Sequence, residues 1–255
     1  MRSYRFIFPV VMVFCLILAG ACVPVEKSRS DTEQAKYHYL MGLTSLREGN
    51  PTEALKELLQ AVEYDDTDPQ IHAALYNAYM QKQAFDLAEK HIKRAIDLSE
   101  GDPRYYNNLG ALYLTMERYD DAIAAFQVAA DNLLFERPEL AWTAIGVAYF
   151  QKQDYPAAQR AYEKAISLNP LYFMPVYRLG ELYYTQDRPA EALQMFSKTV
   201  ELEPRFPDGH YWQGLVYMKM KETAKAKQAF LDVIRLAPQS NAGKLAADYL
   251  KIIDQ

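Results

Sequence analysis

One marked position returns along this chain at a nearly constant interval, and that interval constrains the fold more than any other feature. Gly42, Tyr76, Gly110, Gly146, Gly180 and Gly214 stand 34, 34, 36, 34 and 34 residues apart. Twelve residues after each mark comes an alanine: Ala54, Ala88, Ala122, Ala158, Ala192 and Ala226. Three residues after each mark come Ser45, Tyr79, Tyr113, Tyr149, Tyr183 and Tyr217. A 34-residue period with small residues at fixed phases predicts stacked helical hairpins. The small side chains let the two helices of a hairpin approach closely, and the tyrosines fill the adjoining space. Such a stack offers an extended surface to other chains, so the pattern points to a scaffold before it points to an enzyme.

The chain ends carry different information. Arg2 and Arg5 open the sequence, and Phe6 to Ala21 are almost wholly apolar over sixteen residues with Pro9 among them. That is short for a membrane span and fits a secretory signal over residues 1–21. Its end, Leu18-Ala19-Gly20-Ala21-Cys22, resembles a bacterial lipobox, in which the Cys22 thiol receives acyl chains such as palmitate and becomes the new N-terminus. A lipobox usually carries leucine where Ala19 stands, and an ordinary signal cut near Ala21 would instead leave Cys22 as a free thiol. Val23 stands where inner-membrane lipoproteins often carry aspartate, so resemblance to known lipoproteins implies the periplasmic face of the outer membrane. Residues 22–31 then form a short lipidated tether.

The only other cysteine, Cys15, lies inside the signal, so the processed chain can form no internal disulfide and must rely on packing. Without Arg2 and Arg5 the side chains carry 26 basic against 33 acidic groups, about −7 in all. Nucleic acid demands a basic footprint, and this balance argues against it.

Between the tether and the C-terminus each repeat reads as two amphipathic helices and a turn. Ser30-Asp31-Thr32-Glu33 looks like a capping box opening the first helix, and Asn50-Pro51-Thr52-Glu53 does the same for the second. Asp68-Pro69 and Asp102-Pro103 place a capping carboxylate before a proline whose missing N–H is harmless in the first turn. Pro170, Pro204 and Pro238 close the last three repeats, and the 36-residue interval puts two extra residues near 131–138. Ser240 can cap a final helix running to about Ile253, with Leu245, Tyr249, Ile252 and Ile253 on its apolar face. The predicted architecture is all-α: six repeats over 32–239 (about 35–68, 69–102, 103–138, 139–172, 173–206 and 207–239), with residues 240–255 as a lid.

The residues Trp142, Ile145-Gly146, Tyr149, Ala158, Tyr162, Ala165 and Pro170 match the tetratricopeptide-repeat signature, and the other five repeats match it less fully. This resemblance implies a right-handed superhelical solenoid of thirteen helices. No chemistry competes with that reading. The ten glycines include no Gly-x-Gly pair, there is no His-Glu-x-x-His helix, and no serine or cysteine has a base at a recognisable spacing. His38, His72 and His210 share the phase of Trp142 and are expected to pack between helices, while His91, among Lys90, Lys93 and Arg94, is expected to be solvated. Neither an enzymatic activity, a cofactor nor a metal is expected.

In tetratricopeptide repeats the first helix of each hairpin lines a concave groove. The inward phases place Asn77 and Asn107 where they can bond a peptide backbone, then Leu114, and then an apolar run of Leu140, Val147, Phe150, Tyr177, Tyr184, Tyr211, Leu215 and Met218. Such a channel suits a hydrophobic segment of a protein partner. The same side chains serve packing instead if the superhelix is tight.

A lipobox, a short tether, six such repeats and a terminal lid together resemble the type IV pilus biogenesis lipoproteins, the pilotins. The resemblance extends to Phe85-Asp86-Leu87-Ala88-Glu89-Lys90-His91, to Tyr106-Asn107-Asn108-Leu109-Gly110, and to the connection Asn132-Leu133-Leu134-Phe135-Glu136-Arg137. It departs from the family at Leu114 and Ala148, where members often carry a cysteine pair. It implies a secretin subunit as partner and a lipid anchor in the outer membrane. The alternative from another class is an envelope adaptor that docks peptidoglycan hydrolases or proteases.

Overall fold

The computed structural model describes residues 28–253. Among them are thirteen α-helices and no strand. The hairpins are α1 (Arg29–Arg47) with α2 (Pro51–Tyr64), α3 (Pro69–Gln81) with α4 (Phe85–Leu98), and α5 (Pro103–Thr115) with α6 (Tyr119–Asp131). Three more follow: α7 (Pro138–Gln151) with α8 (Tyr155–Leu168), α9 (Phe173–Thr185) with α10 (Pro189–Leu202), and α11 (Pro207–Lys219) with α12 (Thr223–Leu236). The last helix, α13 (Asn241–Ile253), stands alone. Each helix packs mainly on its neighbours in sequence, and several odd-numbered helices also touch the next odd one. That nearest-neighbour pattern is an all-α solenoid.

The starts of the helices follow the sequence rules. Asn50, Asp68, Asp102 and Asp154 each accept a backbone N–H at their helix N-terminus. The first helix differs from expectation. Its cap is Ser28, whose hydroxyl accepts the Asp31 N–H at 3.1 Å, so residues 29–31 are helical and do not belong to the tether. The Ser30 box is overridden because Ser28 reaches a free N–H group two residues earlier.

The turn inside each hairpin is built on one left-handed residue, seven positions after each mark. Gly49 fills it first with φ 74°, and Gln83, Glu117, Gln153, Asp187 and Lys221 fill it afterwards with φ from 56° to 61°. The next N–H then reaches back to the carbonyl at the tyrosine phase: Arg118 to Tyr113 at 2.8 Å, Arg188 to Tyr183 at 2.9 Å, Glu222 to Tyr217 at 2.8 Å. This closes the helix end with a Schellman-type bond.

The core is a ladder of volume exchanges. All six phase alanines are fully buried. Sixteen residues after each mark stands a fully or almost fully buried side chain: Leu58, Ile92, Phe126, Tyr162, Phe196 and Phe230. A Cβ on Gly180 would lie 2.7 Å from the Phe196 ring, and one on Gly110 would lie 2.7 Å from the Phe126 ring. In the second repeat the trade is reversed, with Tyr76 on the first helix and the smaller Ile92 on the second. Tyr76 donates its hydroxyl to the Asn108 carbonyl at 3.0 Å, tying that repeat to the next, and burial pushes its phenol up to about 12.

The lid forms, and its packed face is rotated from the expected one: Tyr249 and Ile253 pack as expected, but Leu245 and Ile252 do not. Ala242, Gly243 and Ala246 are buried, with Tyr249, Leu250 and Ile253 packed beside them, whereas Leu245 and Ile252 are exposed. Tyr249 stacks on Phe230 with ring centroids 5.1 Å apart. Close approach of the helix to the preceding turn selects small residues: a Cβ on Gly243 would meet the backbone of Ala237 and Pro238.

Candidate partner-binding groove

The inward-facing side chains of the odd helices fall into three places. Asn77 is exposed on α3, in a shallow recess with Leu43, Leu46, Arg47 and Met80. Asn107 of α5 and Leu140 of α7 meet at a second, larger hollow of about 720 Å³ at one edge of the stack. Its rim holds Arg104 and Arg137, each paired with a carboxylate: Arg104 with Asp102, and Arg137 with the buried Glu139 at 3.1 Å. The remaining residues lie along repeats three to six.

Leu114, Val147, Phe150, Tyr184, Tyr211, Leu215 and Met218 are all half-buried. Each rests on the core with one side and keeps another open. Val147, Phe150 and Tyr184 rest on the cluster around Phe196, and Tyr211, Leu215 and Met218 on the cluster under the lid. Lys219 sits 4.7 Å over the Tyr184 ring while pairing with Asp187 at 2.6 Å, so the cation near this run is neutralised from the preceding hairpin turn.

Tyr177 departs from its expected role. It is only 7% exposed, because the next repeat covers it. The Trp212 indole N–H donates to its hydroxyl at 2.9 Å, and the Phe196 and Phe206 rings flank it at 6.0 and 5.1 Å. Burial pushes its phenol well above the ordinary tyrosine range. Tyr177 is therefore interior packing. Trp212 was not among the inward phases, yet it lies beside the run: its ring stacks on Phe196 and meets Tyr184 edge-on at 5.1 Å. The only signal for it in the sequence was that the chain has two tryptophans.

The histidines pair within the stack. His38 contacts Glu57 at 2.7 Å, and the His210 ring lies 3.0 Å from the Pro204 carbonyl. His72 is buried, with its Nε2 3.0 Å from the Asp66 carbonyl and its Nδ1 3.0 Å from Nδ1 of His91. Facing the carbonyl, His72 Nε2 carries a proton, and the two Nδ1 atoms share the hydrogen between the rings. His91 is thus half-buried and paired, not solvated. Burial, with His72 and Lys90 adding to it, pushes its pKa down to about 4. Among the described residues no group of three or more histidine, cysteine, aspartate and glutamate side chains is arranged to hold a metal ion. No described helix is long and apolar enough to cross a membrane. Cys22 and the signal lie outside the described residues.

A solenoid of helical hairpins with a part-apolar inner face defines a protein-interaction scaffold. Three tetratricopeptide-repeat models match, over residues 45–112, 103–130, and 143–201 with 177–241, and the chain belongs to the tetratricopeptide-repeat family. It is similar to the type IV pilus assembly protein PilF of Pseudomonas aeruginosa, with 24% identity over 164 residues, 64% of this chain and 65% of the relative. It is also similar to the BBSome complex member BBS4 of Bos taurus, with 26% identity over 60% of this chain and 29% of the relative. The matched part therefore spans just under two thirds of one relative and less than a third of the other. The solved structure of Pseudomonas aeruginosa PilF superposes with a TM-score of 0.70 at 20% identity, over 87% of this chain and all of that one. PilW, described as a widely conserved type IV pilus biogenesis factor, gives 0.73 at 13% identity, over 84% of this chain and 98% of its own. At those identities the superpositions establish the fold.

Proposed function

We propose that this chain is a lipid-anchored periplasmic scaffold of the pilotin kind, which captures a secretin subunit and supports its assembly at the outer membrane. The observation that carries the reading is the half-buried run on α7, α9 and α11. Val147, Phe150, Tyr184, Leu215 and Met218 are held in place by the core beneath, so they present apolar surface at little cost in ordering. A hydrophobic helix or extended segment fits such a strip, and Asn77 and Asn107 supply amides for its backbone. The likeness to PilF and PilW supports a role in type IV pilus assembly, the pilotin resemblance of the sequence suggests the secretin as partner, and the lipobox-like end at Cys22 suggests the anchor.

The test is in-cell crosslinking from a photoreactive residue at Phe150 or Met218, followed by identification of the captured chain. The reading expects a secretin subunit, depletion of secretin multimers in a deletion strain, and a soluble periplasmic protein after Cys22→Ser. Capture of a cell-wall hydrolase or protease, with secretin multimers intact in the deletion strain, would replace it with the adaptor reading.

A further inference from the structure

The loops that join one hairpin to the next lie along a single edge, because neighbouring helices run antiparallel and every odd helix starts there. Most of these loops are polar at their tips, with Asp66-Thr67, Glu100-Gly101, Pro204-Arg205 and Pro238-Gln239. Two adjacent ones are not. Leu133 and Leu134 between α6 and α7 are 101% and 83% exposed, and Leu171 between α8 and α9 is 79% exposed.

Both loops are built to hold those leucines outward. The Asn132 side chain accepts the Leu134 N–H at 2.8 Å, and the Phe135 N–H returns to the Asn132 carbonyl at 3.0 Å. One repeat later the Asn169 side chain accepts the Leu171 N–H at 3.2 Å, and the Tyr172 N–H returns to the Asn169 carbonyl at 3.2 Å. The same turn is thus made twice, with an aromatic folded toward the stack and a leucine thrust out. Leu133 takes the place that Pro170 has in the second turn and adds a further leucine to the tip, while the two extra residues of the 36-residue interval, Glu136 and Arg137, follow the turn.

Helix α1 starts at this edge as well, and its cap Ser28 stands six residues after Cys22. Six extended residues reach roughly 20 Å at most, so acyl chains on Cys22 would hold this edge near the bilayer. We propose, resting on the lipid-anchor reading above, that the loop edge lies against a phospholipid surface with Leu133, Leu134 and Leu171 inserted at the headgroup level. Leu133 and Leu171 stand on projecting tips, and Leu134, still 83% exposed, also borders the hollow beside Asn107 and Leu140, a set of outward side chains that suits a soft interface. Arg137 and Arg205 on the same edge bring donors to the lipid phosphates.

The experiment uses the full processed protein purified from membranes and placed in vesicles of phosphatidylethanolamine and phosphatidylglycerol. Single nitroxide labels at Leu134→Cys, Leu171→Cys and, as a control in a turn at the opposite edge, Gln153→Cys report accessibility to oxygen and to a nickel chelate. The intact mass of the same sample reads acylation of Cys22. Labels at 134 and 171 should favour oxygen over nickel while the label at 153 stays aqueous. The triple change of Leu133, Leu134 and Leu171 to serine should speed transfer of the lipidated protein between vesicles by about tenfold or more, with an unchanged melting curve. An acylated protein whose labels are all aqueous, or become shielded only when a protein partner is added, overturns the membrane edge and leaves the anchor standing. A mass without acyl chains removes the anchor and this proposal with it.

Discussion

Replacing Gly180 with alanine sets two opposing effects against each other in α9. Helix propensity favours alanine by about 0.5–1 kcal/mol. Packing opposes it, because the new methyl would lie 2.7 Å from the Phe196 ring where carbon atoms prefer about 3.5–4.0 Å. Phe196 cannot slide away easily: it is fully buried, with the Trp212 ring stacked at 5.5 Å and the Tyr177 ring at 6.0 Å. Overpacking of this kind costs about 1–3 kcal/mol, so Gly180→Ala should destabilise the stack by about 1–2 kcal/mol net. Phe196→Leu alone should cost about 1–2 kcal/mol through the space it leaves. Together the two changes should cost less than their sum, because the alanine methyl enters that space; a coupling of about 1 kcal/mol is expected. Urea midpoints at unchanged m-value measure the cycle, and hydrogen exchange of α9 and α10 amides locates it within the solenoid. A neutral or stabilising Gly180→Ala, or strict additivity in the double variant, would refute the volume-exchange account of the repeat.

Glu117→Gly and Lys221→Gly should each raise stability by about 0.5–1 kcal/mol by relieving a left-handed residue, whereas Gly49→Ala should lower it by about 1 kcal/mol although nothing lies within 4 Å of the added methyl. Thermal melts of the three variants check the sign at each position. His91, whose folded pKa lies below its unfolded value near 6.5, binds fewer protons in the native state. The stability that goes with burying this ring in its neutral form is therefore fully present above pH 6.5 and falls as the pH drops toward 4, by about 2 kcal/mol after allowing for its partial exposure. Acid titration of wild type against His91→Gln should show the difference confined to that window. Tyr177→Phe should cost about 1 kcal/mol by orphaning the Trp212 N–H while leaving partner capture unchanged, whereas Phe150→Glu with Tyr184→Glu should abolish capture in a protein that still melts cooperatively.

The period of 34 made the hairpins legible because a solenoid repeats its contacts as well as its sequence. The alanine phase is buried six times, and the glycine phase meets a bulky side chain of the second helix five times. What the period could not carry was any contact made once. Tyr177 has the phase of a groove residue, but whether that phase faces solvent depends on Trp212 of the following repeat, and only this pair of repeats puts an indole there. His91 looked solvated beside three cations until His72 of the paired helix claimed its Nδ1. The lid face was read only in part, with Tyr249 and Ile253 rightly inward, because bulk was read as burial, when close approach to a turn selects Ala242, Gly243 and Ala246 and turns Leu245 outward. The left-handed turn residue escaped notice for the opposite reason: it recurs in every repeat, but glycine marks it only at position 49. Five side chains are held at positive φ there by the Schellman-type bond and the packed helices on either side, so tertiary contacts override the local preference. Residues that serve the repeat are thus written six times and can be read from one sequence, while those that shape a particular surface are written once. That is why the exposed tips at Leu133, Leu134 and Leu171 carry more information about function than the ladder does: packing explains the ladder, and nothing in the packing calls for three leucines in water.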